Sequence, residues 1–226
     1  MRLIIFNGSP KKGINNTEVM LRKFEEGFKN TSENYCDLYK LNCLKRMKDA
    51  VDLFEQEEYI LLAFPLYVYS MPSAVKEFIE LLEPLCGKCK EKKVGFLVQY
   101  GFKEAIHARP LEKYLEKLVK SLDCEYLGTI IKGGCDNLST TPQEQNKKIL
   151  NGIYEIGKKF GETGKFERKL LDEYSKPETQ TLQSEELMRN SIEFINKNYW
   201  GAQLKKNEAY DKRYARPYEK QLPNNY

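Results

Sequence analysis

Apolar runs alternate with amphipathic stretches through the first two thirds of this chain. The strand-like runs are Leu3 to Phe6, a weaker Tyr35 to Leu41, Tyr59 to Phe64, Val94 to Val98 and Tyr126 to Ile131. The last three are almost wholly apolar, as expected where helices cover both faces of a parallel sheet. The gaps carry helical stripes. Met20, Phe24 and Phe28 recur every four residues; Val75, Phe78, Ile79 and Leu82 form the next stripe; Leu111, Tyr114, Leu115, Leu118 and Leu122 form another. A further helix is expected from Pro142 to Phe160, with Ile149, Ile153 and Ile156 on one face, and a shorter one from Lys45 to Phe54. Asn15 followed by Glu18 resembles a capping box, so the first helix should begin near Asn16. Pro110 suits the first turn of the helix it opens. Strict alternation of strand and helix, with right-handed crossovers, predicts a doubly wound sheet of order 2-1-3-4-5. The second run is the least apolar and suits an edge.

The pattern changes after Gly164. Residues 165–183 are polar, and Ser184, Glu185 and Glu186 read as a helix start. Leu187, Met188, Ser191, Ile192 and Ile195 share one face of a helix expected at about 184–198, and a polar, tyrosine-rich tail follows. The expected organisation is one domain over 1–163 and a C-terminal extension over 164–226 that is not a domain of its own. The 226 residues carry a formal charge of +4 with both signs mixed throughout, which argues against a nucleic-acid protein and its clustered basic face. Leu3 to Phe6 is too short for a signal-peptide core, and no window reaches the roughly 20 apolar residues of a membrane helix. A cytoplasmic location is expected, and the six cysteines show no disulfide framework.

In an open parallel sheet, ligands bind beyond the carboxyl ends of the strands where the strand order reverses. Three loops meet there. The first, from Asn7 to Thr17, is small, polar and basic and enters a helix N-terminus, where backbone N–H groups are unpaired and the dipole is positive. Ser9, Asn16 and Thr17 offer side-chain donors, and Lys11 or Lys12 offers charge. This reads either as a monophosphate cradle or as a capped polar turn that binds nothing. The second loop, Pro65 to Ser73, holds Leu66, Tyr67, Val68, Tyr69 and Met71 where polar residues are the norm, which suits a flat aromatic ligand or cover by a partner subunit. In the third, Gln99 and Tyr100 offer hydrogen bonds and Gly101 permits close backbone approach. Together the loops specify phosphate, planar ring and ring-edge hydrogen bonds.

The segments GSPKKGINNT (8–17) and FPLYVYSMPSAVKEFIE (64–80) resemble the phosphate loop and the isoalloxazine loop of NAD(P)H-dependent FMN reductases and related flavodoxin-like quinone reductases. The resemblance spans about residues 1–160. It implies a flavodoxin-like α/β fold with a helical C-terminal extension, FMN as cofactor, NAD(P)H as co-substrate, a small-molecule acceptor and a homodimer. Carried over, Ser9, Lys11, Asn16 and Thr17 would hold the phosphate. Pro65, Leu66, Tyr67, Val68, Tyr69 and Met71 would lie along the ring, and Gln99, Tyr100 and Gly101 would meet it from the fourth strand. The family commonly has Arg where Lys11 stands, and Lys lacks the bidentate fork. The iron–sulfur branch carries a compact cysteine motif after strand two, where this chain has Cys43 alone, so no cluster is expected.

The remaining candidates are weaker. Cys86 and Cys89 have CxxC spacing, which fits a redox pair or half a zinc site, but no second pair or nearby histidine completes one. No metal is expected. His107, the only histidine, reads either as a donor to flavin or substrate or as a side chain at a helix start. Tyr199 and Trp200 could roof a partner's site or simply pack. There is no GxxxxGK[ST] and no GxGxxG after strand one, no cysteine in the first loop as a low-molecular-weight phosphatase needs, and no acid at position 7 as a response regulator needs. An electron carrier of the flavodoxin type, usually acidic for docking, and a flavin-less interaction protein are the rival readings.

Overall fold

The computed structural model describes residues 1–31, 33–43, 47–179 and 182–217. Five parallel strands, β1 (Arg2–Asn7), β2 (Tyr35–Lys40), β3 (Tyr59–Pro65), β4 (Lys93–Gln99) and β5 (Glu125–Lys132), form one sheet in the order β2-β1-β3-β4-β5. The strand order thus reverses between β1 and β3, as the sequence predicts. The helices are α1 (Asn16–Phe28), α2 (Met47–Gln56), α3 (Ser73–Leu81), α4 (Arg109–Ser121), α5 (Lys147–Thr163) and α6 (Arg168–Ser175). Residues 44 to 46, at the expected start of α2, lie outside the described residues.

Side-chain alternation along the strands sorts the core into two layers. Ile4, Phe6, Ile60, Leu62, Phe96 and Val98 face α2, α3 and α4. Leu3, Ile5, Leu61, Leu97 and Ile130 face α1, α5 and α6. Each fully buried aliphatic or aromatic side chain contributes about 1.5–3 kcal/mol. Phe24, Phe28 and Phe160 supply three of the largest between α1 and α5. Those two helices approach closely because glycine stands at the contact. A Cβ on Gly27 would lie 2.1 Å from the Tyr154 carbonyl oxygen, and one on Gly157 2.1 Å from that of Phe24. Asn15 caps α1 by accepting the Glu18 N–H at 3.0 Å. The box is not closed in return: the Glu18 carboxylate pairs with Lys40 at 2.6 Å and Arg22 at 2.8 Å.

The first compact unit runs to Thr179, past the boundary expected at residue 163. Phe166, Leu171 and Tyr174 explain this, since they pack into the layer shared with α1 and α5. A Cβ on Gly95 would meet the Phe166 ring at 2.6 Å. The second unit, Gln180–Tyr226, contains α7 (Leu182–Ile195), a π-helical turn (Asn196–Trp200) and α8 (Gly201–Lys206). Of the apolar face expected on α7, Ile192 and Ile195 are about half exposed, while the Leu187 and Met188 side chains lie outside the description. No helix among the described residues is long and apolar enough to cross a membrane.

Candidate functional site

At the carboxyl edge of the sheet, the loops after β1, β3, β4 and β5 enclose a cleft of about 140 Å³. Its walls are Ser9, Lys11, Asn15 and Asn16 from the first loop, Pro65 and Tyr67 from the second, Gln99 from the end of β4, and Asp136, Asn137, Ser139 and Thr140 from the segment after β5.

The first loop is fixed by its own amides. Gly8 donates its N–H to the Ala63 carbonyl at 2.7 Å and has no room for a side chain, since a Cβ would lie 2.1 Å from Val75 Cγ2. Asn7 Oδ1 accepts the Ser9 N–H at 2.9 Å. Its Nδ2 is buried without a partner, an orphan donor at the root of the loop. Asn15 Nδ2 donates to the Gly13 carbonyl at 3.2 Å, which pins the turn made possible by the positive φ of Gly13. The loop thus presents the N-terminus of α1 and Lys11 to the cleft. Burial raises the Glu18 carboxyl, but Lys40 and Arg22 outweigh it and hold the group below the ordinary glutamate range. The one acid in the first turn of α1 is thereby neutralised.

Thr17 is fully buried and accepts a hydrogen bond from Gln99 Nε2 at 3.2 Å, which joins the floor of the first loop to β4. Asn16 lines the cleft with its side-chain amide already engaged. Its Nδ2 donates to the carbonyls of Cys135 at 2.6 Å and Asp136 at 3.1 Å, and its Oδ1 accepts the Ser139 N–H at 2.9 Å. The side chain is therefore a brace that holds the segment after β5 against α1.

The second loop forms a tight turn. Tyr67 and Ser70 exchange both backbone hydrogen bonds at 2.9 Å, and Val68 and Tyr69 occupy the two central positions with φ of 49° and 60°. Such turns favour Asn-Gly or Asp-Gly, and a β-branched residue in this region is strained. Val68 is 94% exposed, so no packing of its own side chain offsets that strain. Leu66 and Met71 instead pack against the core, and Leu66 N–H anchors the loop to the Gln99 carbonyl at 2.9 Å.

The third loop divides by strand alternation. Gln99 faces the cleft, whereas Tyr100 points to the opposite layer, buried, with its hydroxyl donating to the Glu104 carbonyl at 3.0 Å. Burial raises the Tyr100 hydroxyl well above its ordinary range. The Tyr100 side chain is therefore not among those lining the cleft. Gly101 leaves room for the Asp136 carboxylate, whose Oδ1 would lie 2.0 Å from a Cβ there. His107 stands beside this edge, its ring 5.7 Å from Tyr69 and 4.9 Å from Phe102, with the Glu104 carboxylate 3.7 Å away. Cys86 and Cys89 lie before β4, at the far pole of the sheet. Among the described residues no group of three His, Cys, Asp or Glu could hold a metal ion.

The residues missed from sequence are Asp136, Asn137, Ser139 and Thr140. The signal available was the polar run following Gly133 and Gly134, placed just past a strand end. Cys135 N–H donates to the Tyr100 carbonyl at 2.9 Å, and Gly134, with positive φ, allows the chain to fold back over β4.

The model of the family described as "Flavodoxin-like fold" matches residues 1–153. No curated protein matches the chain in sequence. Among solved structures, it resembles the azoreductase from Bacillus anthracis, with a TM-score of 0.57, 12% identity, and coverage of 70% of this chain and 99% of that one. An NAD(P)H:quinone oxidoreductase from Methanothermobacter marburgensis gives a TM-score of 0.56 at 12% identity over 73% of this chain and 99% of that one. General stress protein 14 of Treponema denticola, solved in complex with FMN, gives 0.53 at 13% identity over 71% and 97%. At such identities the likeness is one of fold, and with the family match over residues 1–153 it leads to one conclusion: this chain belongs to the family of the flavodoxin-like fold.

Proposed function

We propose that the protein is an NAD(P)H oxidoreductase that uses FMN to move hydride from a nicotinamide to a quinone, flavin, nitro compound or similar acceptor. The observation that carries this reading is the joining, at one sheet edge, of a donor-rich helix N-terminus with Lys11, a strained apolar turn and the Gln99 amide. Solved structures of like fold that are named for NAD(P)H:quinone and azo reduction, or contain FMN, support it.

The residues present fit FMN. A phosphate needs donors and positive potential, and the first loop offers N–H groups at the start of α1, the Ser9 hydroxyl, Lys11 and the orphan amide of Asn7. A cleft of about 140 Å³ is small beside the roughly 300–1,000 Å³ of whole-ligand pockets, so it suits the phosphate end and leaves the planar ring to the exposed turn at Tyr67 to Tyr69. The flavin, when bound, supplies the redox chemistry. Thr17 orients Gln99 to offer its amide at the cleft, and Asp136, an acceptor only, suits hydroxyl donors rather than phosphate.

A homodimer is part of this proposal, since Tyr69, Phe102 and Ile106 leave an apolar rim exposed beside the cleft. A cytoplasmic setting suits six unpaired thiols. The test is FMN titration of Ser9→Ala and Lys11→Met. Each should weaken binding by about 1–3 kcal/mol, the cost of leaving a buried partner short of a hydrogen bond. Unchanged affinity in both variants would remove the phosphate site from this edge.

A further inference from the structure

Three of the six cysteines gather at the sheet pole opposite the cleft. Cys86 and Cys89 bracket a turn before β4 in which Gly87 has a φ of 71°. Cys124 ends the connection between α4 and β5. The two connections are stitched together: Gly87 N–H donates to the Ser121 carbonyl and Cys89 N–H to that of Leu122, both at 3.0 Å, while Glu125 N–H donates to the Lys92 carbonyl at 2.8 Å. Cys89 and Cys124 are both buried in the core layer of α2, α3 and α4, where the Cys89 thiol donates to the Leu85 carbonyl at 3.6 Å. Cys86 is exposed, and Lys92 brings positive charge towards both buried sulfurs.

We propose that Cys86, Cys89 and Cys124 form a thiol relay that takes an oxidising equivalent from a hydroperoxide at the surface and stores it as a buried Cys89–Cys124 disulfide. Burial holds both inner thiols protonated, with Cys124 pushed up to about 12, so neither is the first to react. Exposed Cys86 is. Its thiolate attacks the peroxide: an S–O bond forms, the O–O bond breaks, and the departing alkoxide or hydroxide takes a proton to leave as alcohol or water. The Cys89 sulfur, its proton lost, then displaces hydroxide from the resulting sulfenic acid and forms the Cys86–Cys89 disulfide. Finally the Cys124 sulfur, also deprotonated, attacks Cys89 and expels Cys86 as a thiolate. In sum, two thiols and one hydroperoxide give one disulfide, one alcohol and one water. The relay is independent of any ligand in the cleft.

The test uses the full chain, treated with a small excess of hydrogen peroxide, blocked with N-ethylmaleimide and mapped by mass spectrometry without reduction. The wild type should yield linked Cys89 and Cys124 peptides with Cys86 alkylated. Cys124→Ala should stop at the Cys86–Cys89 disulfide, and Cys86→Ser should slow the loss of the Cys89 and Cys124 thiols by about tenfold, since of the relay only these two buried, protonated thiols remain. Circular dichroism checks that the variants fold, and if they do not, the wild-type map alone decides. Cys86 recovered as sulfinic or sulfonic acid with Cys89 and Cys124 both alkylated, or linked only to Cys86 of another chain, would overturn the proposal.

Discussion

Asn16 offers a sharp test of how the cleft is held together. Asn16→Asp keeps the shape of the side chain and the acceptor that receives the Ser139 N–H at 2.9 Å, but replaces a donor by an oxygen 2.6 Å from the Cys135 carbonyl and 3.1 Å from that of Asp136. Two hydrogen bonds become two lone-pair contacts. The part-buried bond to Cys135 is worth about 1–1.5 kcal/mol, and the repulsion adds about 1–2 kcal/mol. A negative charge in the first turn of α1 returns about 0.5 kcal/mol. The net loss is about 2 kcal/mol, which lowers the urea midpoint by roughly 1 M for an m-value of about 2 kcal/mol/M. The introduced carboxyl is favoured in its neutral form, which can again donate to the Cys135 carbonyl, so its folded value lies above the unfolded value of about 3.9. Stability tied to a raised value is present below the unfolded value and lost as pH rises through the folded one. The variant should therefore approach the wild type near pH 3 and fall behind it at pH 7. Urea denaturation at several pH values measures this. A loss under about 0.5 kcal/mol at pH 7, or one that does not change with pH, would refute the brace.

Gly101→Ala should cost less than about 1 kcal/mol, since the exposed Asp136 carboxylate that a Cβ would meet can swing aside, and Asp136→Ala in the same chain should remove what cost there is. A double-mutant cycle by urea denaturation reads the coupling. Lys40→Met should cost about 1–2 kcal/mol at neutral pH by removing one partner of the buried Glu18 carboxylate. Glu18 is lowered in the fold, so this contribution is present above the unfolded value of about 4.3 and is lost as pH falls through the folded one; thermal melts at pH 7 and pH 3 should show the difference closing. Val68→Gly should raise stability by about 0.5–1 kcal/mol, the strain relieved less the entropy glycine adds to the unfolded chain, as read by a higher melting temperature.

The fold was legible because burial in this architecture is written locally. Runs such as Tyr59 to Phe64 are apolar on both faces only when helices cover both sides, and the four-residue spacing of Met20, Phe24 and Phe28 assigns one helix to one layer. The capped start of α1 followed from Asn15 for the same local reason. Other features rest on contacts distant in sequence. Asn16 looks like a free donor until Cys135, Asp136 and Ser139 arrive beside it. Asp136 to Thr140 form a wall only because Gly133 and Gly134 fold that segment back over β4, and a polar run gives no sign of its target. Phe166, Leu171 and Tyr174 sit in a polar stretch, and their pattern became a core face only against Gly95 and Gly152. Tyr100 is different, since two-residue alternation from buried Val98 already sends it away from Gln99, and the attraction of an aromatic at a ligand edge hid that rule.

The most direct test of the central claim is the visible absorbance spectrum of the purified protein after FMN is added and unbound FMN removed. An FMN-dependent oxidoreductase should retain a flavin spectrum that bleaches when NADH or NADPH is supplied without oxygen. A colourless protein after FMN loading would contradict that claim and leave the fold without the proposed cofactor.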